Sequence, residues 1–167
     1  MIIRIKKNAD GRTSLACTRA DGSTTWQSLS GGQAAFFPRH DLTHYAVETV
    51  LGQGGGFYGL IASGWELTDF GKPWPRGRIP LGAILSETIV GLLDLERGSG
   101  DLIRAVDINC RLDDVRAEHG AEPADEISED DLARIRRRRG ELFAQWEAVE
   151  PGNTLELPFD LTPGQPS

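Results

Sequence analysis

The sequence contains few of the residues that would build a disulfide framework or a cysteine-based metal site. Only two of its 167 residues are cysteines, Cys17 and Cys110, and they lie far apart. Two isolated cysteines are more typical of reduced, buried thiols in an intracellular protein than of a disulfide scaffold. Both the stability and the chemistry of the chain must therefore come from other residues.

Long apolar segments and an excess of basic residues are also absent. The most apolar stretch, residues 81–95, contains Glu87 and is too short and too polar to span a bilayer, so it predicts a buried helix. The first residues lack the apolar core of a signal peptide, and we expect a soluble, cytoplasmic protein without membrane contacts. The net charge of −7, from 18 basic and 25 acidic residues, argues against binding to nucleic-acid backbones.

Two stretches that look like ligand-binding motifs have simpler explanations. The glycines at 54–56 are not followed by the Gly-Lys-Ser/Thr of a P-loop, and we interpret them as a flexible link. The four arginines at 136–139 share a predicted helix with several acidic residues, which favours a solvated, salt-bridged surface. The sequence therefore predicts neither nucleotide nor nucleic-acid binding.

Three short β-rich segments open the chain. They cover residues 2–7, 13–19 and 24–29, and turn signals at Asn8–Gly11 and at Asp21-Gly22 separate them. Such runs joined by Asp-Gly turns predict a three-stranded antiparallel meander. A further β-rich segment at residues 154–159 is a candidate fourth strand of the same sheet.

Helical patterns fill the middle of the chain. We predict helices over about 38–51, 57–69, 81–96 and 101–117, and a last one that begins after Ser128, where a capping box precedes a helical apolar stripe. A polar segment at 118–126 predicts a loop. The expected fold is α+β, with the meander packed against four or five helices in one domain over residues 1–160 and a disordered tail at 161–167.

The segment FFPRHDLTHYAVE, residues 36–48, concentrates the chemistry of the chain. Two of the three histidines, His40 and His44, are four residues apart, and Glu48 follows one helical turn later. On a helix these residues share one face, and two imidazoles at this spacing can chelate one divalent ion. If Pro38 opens the helix, His40 lies in the first turn, where the helix dipole favours a neutral ring.

The string His40-Asp41-Leu42-Thr43-His44 resembles the H-E-x-x-H helix of zincin metallopeptidases, with an aspartate in place of the glutamate. The resemblance implies that His40 and His44 bind zinc and that Asp41 is the catalytic base. It also implies a glutamate ligand on a following helix, for which Glu66 is a candidate, with Asp69 as its outer partner. The longer pattern F-P-x-H-D-x-x-H-Y-x-V-E also resembles a group of uncharacterised bacterial proteins.

Two hypotheses remain open at this point. In the first, the protein binds a divalent metal ion, with Glu48, Glu66 or Glu87 as the third ligand, and acts as a hydrolase on a small molecule or a peptide. The aromatic residues of segment 57–74 and the loop at 71–80 would then border the site. In the second, the protein is a non-enzymatic binding or regulatory domain, and the histidines only hold the helix in place. The sequence does not reveal the oligomeric state.

Overall fold

The structure is a computed structural model that describes residues 1–161, so the predicted tail lies outside this range apart from Leu161. A four-stranded antiparallel sheet contains β1 (Ile2–Lys7), β2 (Thr13–Thr18), β3 (Thr24–Leu29) and β4 (Thr154–Pro158) in the order β3-β2-β1-β4. Five helices follow the meander: α1 (Gly31–Leu51), α2 (Phe57–Ala62), α3 (Leu81–Ser99), α4 (Ala105–Glu118) and α5 (Glu129–Glu147). The predicted α+β fold and the added C-terminal strand are confirmed.

The sheet has one apolar face because its strands alternate buried and exposed residues. Ile3 and Ile5 of β1 pair with Cys17 and Leu15 of β2, and all four side chains are buried. This face packs against α1 and α5. The sheet and these two helices thus form the first of two apolar cores.

A second apolar core lies among the helices. It combines residues of α1, α3, α4 and α5, among them Val47, Ile89, Leu93, Ile108 and Leu132. Both α1 and α5 belong to the two cores, and residues 41–48 of α1 are all buried. Polar side chains on this stretch of α1 must therefore find partners inside the protein. No helix within residues 1–161 is long and apolar enough to cross a membrane.

Helix α1 begins earlier than predicted, at Gly31, so Pro38 lies inside the helix and does not open it. A proline inside a helix cannot donate to the carbonyl four residues before it, which here is Ala34. The Thr13 hydroxyl of β2 lies 3.5 Å from that carbonyl oxygen and donates to it. The sheet thus supplies a partner that the sequence alone does not reveal, and His40 is not in the first turn of the helix.

The segment predicted as one helix over 57–69 is divided. Helix α2 ends at Ala62, Gly64 adopts a positive φ of 103°, and a separate 3-10 turn covers Leu67–Phe70. A left-handed glycine ends the helical geometry and redirects the chain. The last helix begins as predicted: the Ser128 hydroxyl accepts from the Asp131 amide at 3.1 Å, and Asp131 completes the capping box.

The arginine run on α5 is less exposed than predicted. Arg136 and Arg139 both reach Glu96 of α3, whose side chain is almost completely buried, and Arg139 Nη2 lies 2.9 Å from its carboxylate. The amide of Ile103 donates to the same carboxylate at 3.1 Å. Burial raises the pKa of Glu96, but the bonds from Arg136, Ile103 and Arg139 outweigh it and hold the pKa below its ordinary value.

Removing Trp146 tests the position of α5. This side chain is 5% exposed and packs in the core between α5 and the sheet. Trp146→Ala should reduce the free energy of unfolding by about 3–5 kcal/mol in urea denaturation. Trp26→Ala is the control, since Trp26 is 67% exposed on β3, and it should change stability by less than about 0.5 kcal/mol. Equal effects would contradict the placement of α5.

Acid titration tests the ion pair that joins α3 to α5. The pKa of Glu96 in the folded protein lies below its ordinary value of 4.5. The stability that its ion pairs add to the fold is therefore complete above pH 4.5, and it is lost as the pH falls through the folded pKa. Glu96→Gln should destabilise the protein by about 3 kcal/mol at neutral pH, and the difference should shrink in acid. Glu141→Gln removes an exposed pair with Arg138 and should cost less than about 1 kcal/mol at any pH.

Candidate metal centre

His40 and His44 lie on the face of α1 that packs against α3. At one end of the contact His40 meets Asp94, and at the other end Glu48 meets Ser86. Residue numbers thus rise along one helix as they fall along the other, so α1 and α3 run antiparallel. This arrangement places Glu87 of α3 opposite both histidines.

The three side chains converge. Glu87 Oε2 lies 2.9 Å from His44 Nε2 and 3.6 Å from His40 Nε2. One ligand atom from each residue lies within 4.8 Å of the other two. Bonds of about 2.0–2.2 Å to a metal ion place neighbouring ligand atoms roughly 3.0–3.5 Å apart. The group therefore needs only small side-chain adjustments to surround an ion.

Each histidine is fixed through its other ring nitrogen. His40 Nδ1 lies 2.8 Å from Asp94 Oδ2, and His44 Nδ1 lies 3.3 Å from Glu48 Oε1. An ionised carboxylate only accepts hydrogen bonds, so both Nδ1 atoms are donors in these pairs. If an ion were bound at Nε2, the same two bonds would select the tautomer with a free Nε2 lone pair.

Glu48 contacts His44 and also links α1 to α2 and α3. It is completely buried, and its Oε2 accepts from the amides of Tyr58 and Gly59 at 3.0 and 3.3 Å. Its Oε1 also accepts from the Ser86 hydroxyl at 3.3 Å. With so many donors already around it, Glu48 is a positioning residue for His44, and the structure gives the third place in the cluster to Glu87.

The charges of the cluster are strongly coupled. Burial lowers the pKa of His40, but hydrogen bonds to Asp94 and Glu87 outweigh it and raise the pKa to about 10. The pKa of His44 is also raised, because bonds to Glu48 and Glu87 outweigh burial. Burial raises the pKa of Glu87, but both histidines lower it to about 2. Without a metal ion, the His40 ring therefore carries both protons at neutral pH, contrary to the neutral His40 predicted from the helix dipole.

Asp41 lies beside this cluster without joining it. The residue is 4% exposed and lines a cavity next to the histidines. Burial raises the pKa of its carboxyl group to about 6, while the charges of His40 and His44 act in the opposite direction. Within residues 1–161 no hydrogen bond holds the Asp41 carboxylate, so it is available to a molecule in the cavity.

The cavity has a volume of about 790 Å³ and opens from the histidine cluster. Its walls come from α1, α2, α3, β3, the 3-10 turn and the loop at 71–80, which borders the site as predicted. Most lining side chains are apolar: Phe37, Phe57, Leu67, Phe70, Trp74, Ile79, Ala83 and Ile84. This size and character are typical of sites for small molecules.

Glu66 is not part of the cluster. Its carboxylate accepts from Arg19 Nη2 at 3.0 Å and belongs to the capping box of the 3-10 turn, which Asp69 completes. Asp69 also pairs with Arg76 at 3.2 Å. Within residues 1–161, the glutamate that lies against both histidines is Glu87 of α3.

Three contributions to the site escaped the sequence analysis. Asp94 was not among the candidate site residues, although its spacing of seven from Glu87 places both on one helix face. His119 lies at the end of α4, far from the other histidines in sequence, yet it lines the same cavity. Gly54 and Gly56 are buried, so the segment 54–56 is not a free link.

Glycine is required where this loop meets Glu48 and α2. A Cβ atom on Gly56 would lie 2.4 Å from Glu48 Cδ, and one on Gly59 would lie 1.9 Å from the Gly54 carbonyl oxygen. Both distances are shorter than any tolerated contact. The backbone therefore comes close enough to surround the buried carboxylate only because these side chains are absent.

No protein-family model, curated protein or solved structure matches this chain. The chemistry of the centre therefore rests on the geometry of its own residues.

Substitution of the loop glycines tests this packing. Gly56→Ala should destabilise the protein by about 1–3 kcal/mol, because the new methyl group displaces Glu48. Gly55→Ala is the matched control: its Cβ meets no atom within 4 Å, and the change should be within about 0.5 kcal/mol. Chemical denaturation measures both. Equal stabilities of the two variants would show that the loop is not packed around Glu48.

Proposed function

We propose that this protein binds a divalent metal ion through His40 Nε2, His44 Nε2 and the Glu87 carboxylate. One observation carries the proposal: carboxylates already engage both Nδ1 atoms, and both Nε2 atoms face one oxygen of Glu87. Pairing of a ligating histidine with a carboxylate is the usual outer arrangement of protein metal sites.

Zinc is the ion that we propose first. Two imidazoles and one carboxylate suit Zn²⁺ when a fourth position stays open for water or substrate. The same ligand set also suits Fe²⁺. Glu87 has a side chain that is 59% exposed, so the centre is reachable from solvent and from the cavity.

Hydrolysis is the reaction that we propose for this centre, in agreement with the zincin-like string HDLTH. A bound metal ion lowers the pKa of its water to about 7. Asp41 is the residue that we assign as general base, since it lies on the cavity wall and has a carboxylate without a partner. Its raised pKa of about 6 is close to neutrality, where a base is most effective.

A second function is supported by the charges of the cluster without a metal ion. With His40 protonated and Glu87 ionised, the same contacts form a network of ion pairs between α1 and α3. In that case the histidines are structural, and the protein is a binding or regulatory domain whose ligand occupies the cavity. The two functions differ in one measurable property, the uptake of metal.

Metal analysis of protein prepared without a polyhistidine tag decides between them. After chelation and dialysis against Zn²⁺, Mn²⁺ or Fe²⁺, the wild type should retain about one equivalent of one ion. His44→Ala and Glu87→Gln each remove a ligand and should abolish retention. Asp94→Asn leaves the ligands in place but releases His40, so affinity should fall by about 10–100-fold.

Matched controls separate loss of a ligand from loss of fold. Glu66→Gln and His119→Ala change residues outside the cluster and should retain the ion. Thermal melts show whether each variant is folded. A wild type that binds no ion would contradict the metal proposal, and lower stability of His44→Ala in the same preparation would favour the structural function.

A further inference from the structure

The cavity beside the histidine cluster has both polar and apolar side chains on its wall. The polar ones are the cluster itself with Asp41, Gln27 of β3, and two exposed residues: Arg78 in the loop at 71–80 and His119 at the end of α4. The other lining side chains are aromatic or aliphatic. A molecule that fills the space therefore meets an apolar surface together with charged groups.

Arg78 is the only arginine or lysine among the lining residues of the described chain. Its neighbour Arg76 pairs with Asp69 at 3.2 Å and lies over the Trp65 ring. The guanidinium of Arg78 has no such carboxylate partner within residues 1–161. His119 donates from Nδ1 to the Val115 carbonyl oxygen at 2.8 Å, which leaves its Nε2 for other partners.

We propose that the cavity binds a small amphipathic organic anion, with an apolar aromatic or aliphatic body and one acid group held by Arg78. Arg78 is selected for the acid group because it is the one guanidinium or ammonium group on the cavity wall and no carboxylate of residues 1–161 pairs with it. The two histidines of the cluster, in contrast, already contact the carboxylates of Asp94, Glu48 and Glu87. A guanidinium supplies the paired donors that a carboxylate or sulfonate accepts. The inference rests on the proposed function only in placing the opposite, reacting end of the ligand at the metal centre.

The size of the cavity agrees with such a ligand. A volume of about 790 Å³ accommodates two or three rings or a medium acyl chain, but not a folded partner. Phe57 and Phe70 pack against each other with ring centroids 4.8 Å apart and form one aromatic wall. An apolar body against this wall is removed from water, which supplies most of the affinity, and Arg78 sets the direction of binding.

Two fluorescent probes test the proposal, because they share their rings and differ in one charge. Anilinonaphthalene sulfonate carries an acid group, and N-phenylnaphthylamine lacks it. Titrations of wild-type protein should show that the anionic probe binds about tenfold more tightly. Arg78→Gln should remove this advantage and leave the affinity for the neutral probe unchanged. Arg76→Gln should alter neither affinity, and Ile84→Trp, which narrows the cavity, should weaken the binding of both probes.

Each titration is made with protein from which a chelator has removed metal and with metal-loaded protein. Metal content is measured on the same samples. Equal affinities of the two probes in wild type, or an anionic preference that survives Arg78→Gln, would overturn the proposal. Binding of the anion that requires the metal would place the acid group at the ion and would also overturn it. A protein that binds no metal but keeps the Arg78-dependent preference would refute the proposed function alone.

Discussion

The buried carboxylate of Glu48 constrains more of this structure than any other group. A carboxylate removed from water is stable only if donors surround it, and the two amides of Tyr58 and Gly59 and the hydroxyl of Ser86 meet that need from α2 and α3. These bonds fix both helices relative to α1. The same carboxylate orients His44. The packing of the three helices and the geometry of the candidate metal centre therefore both depend on this one buried charge. The backbone at Gly56 packs closely against the side chain of Glu48 for the same reason.

Features that depend on neighbouring residues could be predicted from the sequence. The Asp-Gly turns predicted the meander, and the spacing of His40 and His44 predicted that the two rings share one helix face. The start of α1 could not be predicted, because the partner of the Ala34 carbonyl that Pro38 leaves free is a hydroxyl from β2. That compensation comes from a strand distant in sequence. Pro38 was therefore interpreted as the start of the helix, and this prediction was wrong.

The acidic residues that meet the two histidines are set by the packing of α3 against α1. No local sequence pattern specifies this packing. Glu48, Glu66 and Glu87 were the candidates for the third ligand in sequence, and the antiparallel contact brings Glu87 to the two histidines. The same contact places Asp94 against His40. Burial of one helix against another also reverses the expected charge of His40, since two carboxylates outweigh the loss of water.

In the proposed metal centre, a metal ion and protons would compete for the two Nε2 atoms. The carboxylates that face the rings raise the pKa of His40 to about 10 and raise the pKa of His44 as well. An ion would have to displace protons that these carboxylates stabilise, so metal affinity should fall as the pH is lowered. The same raised pKa values stabilise the fold of the metal-free protein below the ordinary pKa of histidine, and this stabilisation is lost as the pH rises through the folded pKa. Metal affinity and the stability of the metal-free protein should therefore change in opposite directions with pH, because both depend on the protons that the carboxylates hold on the rings.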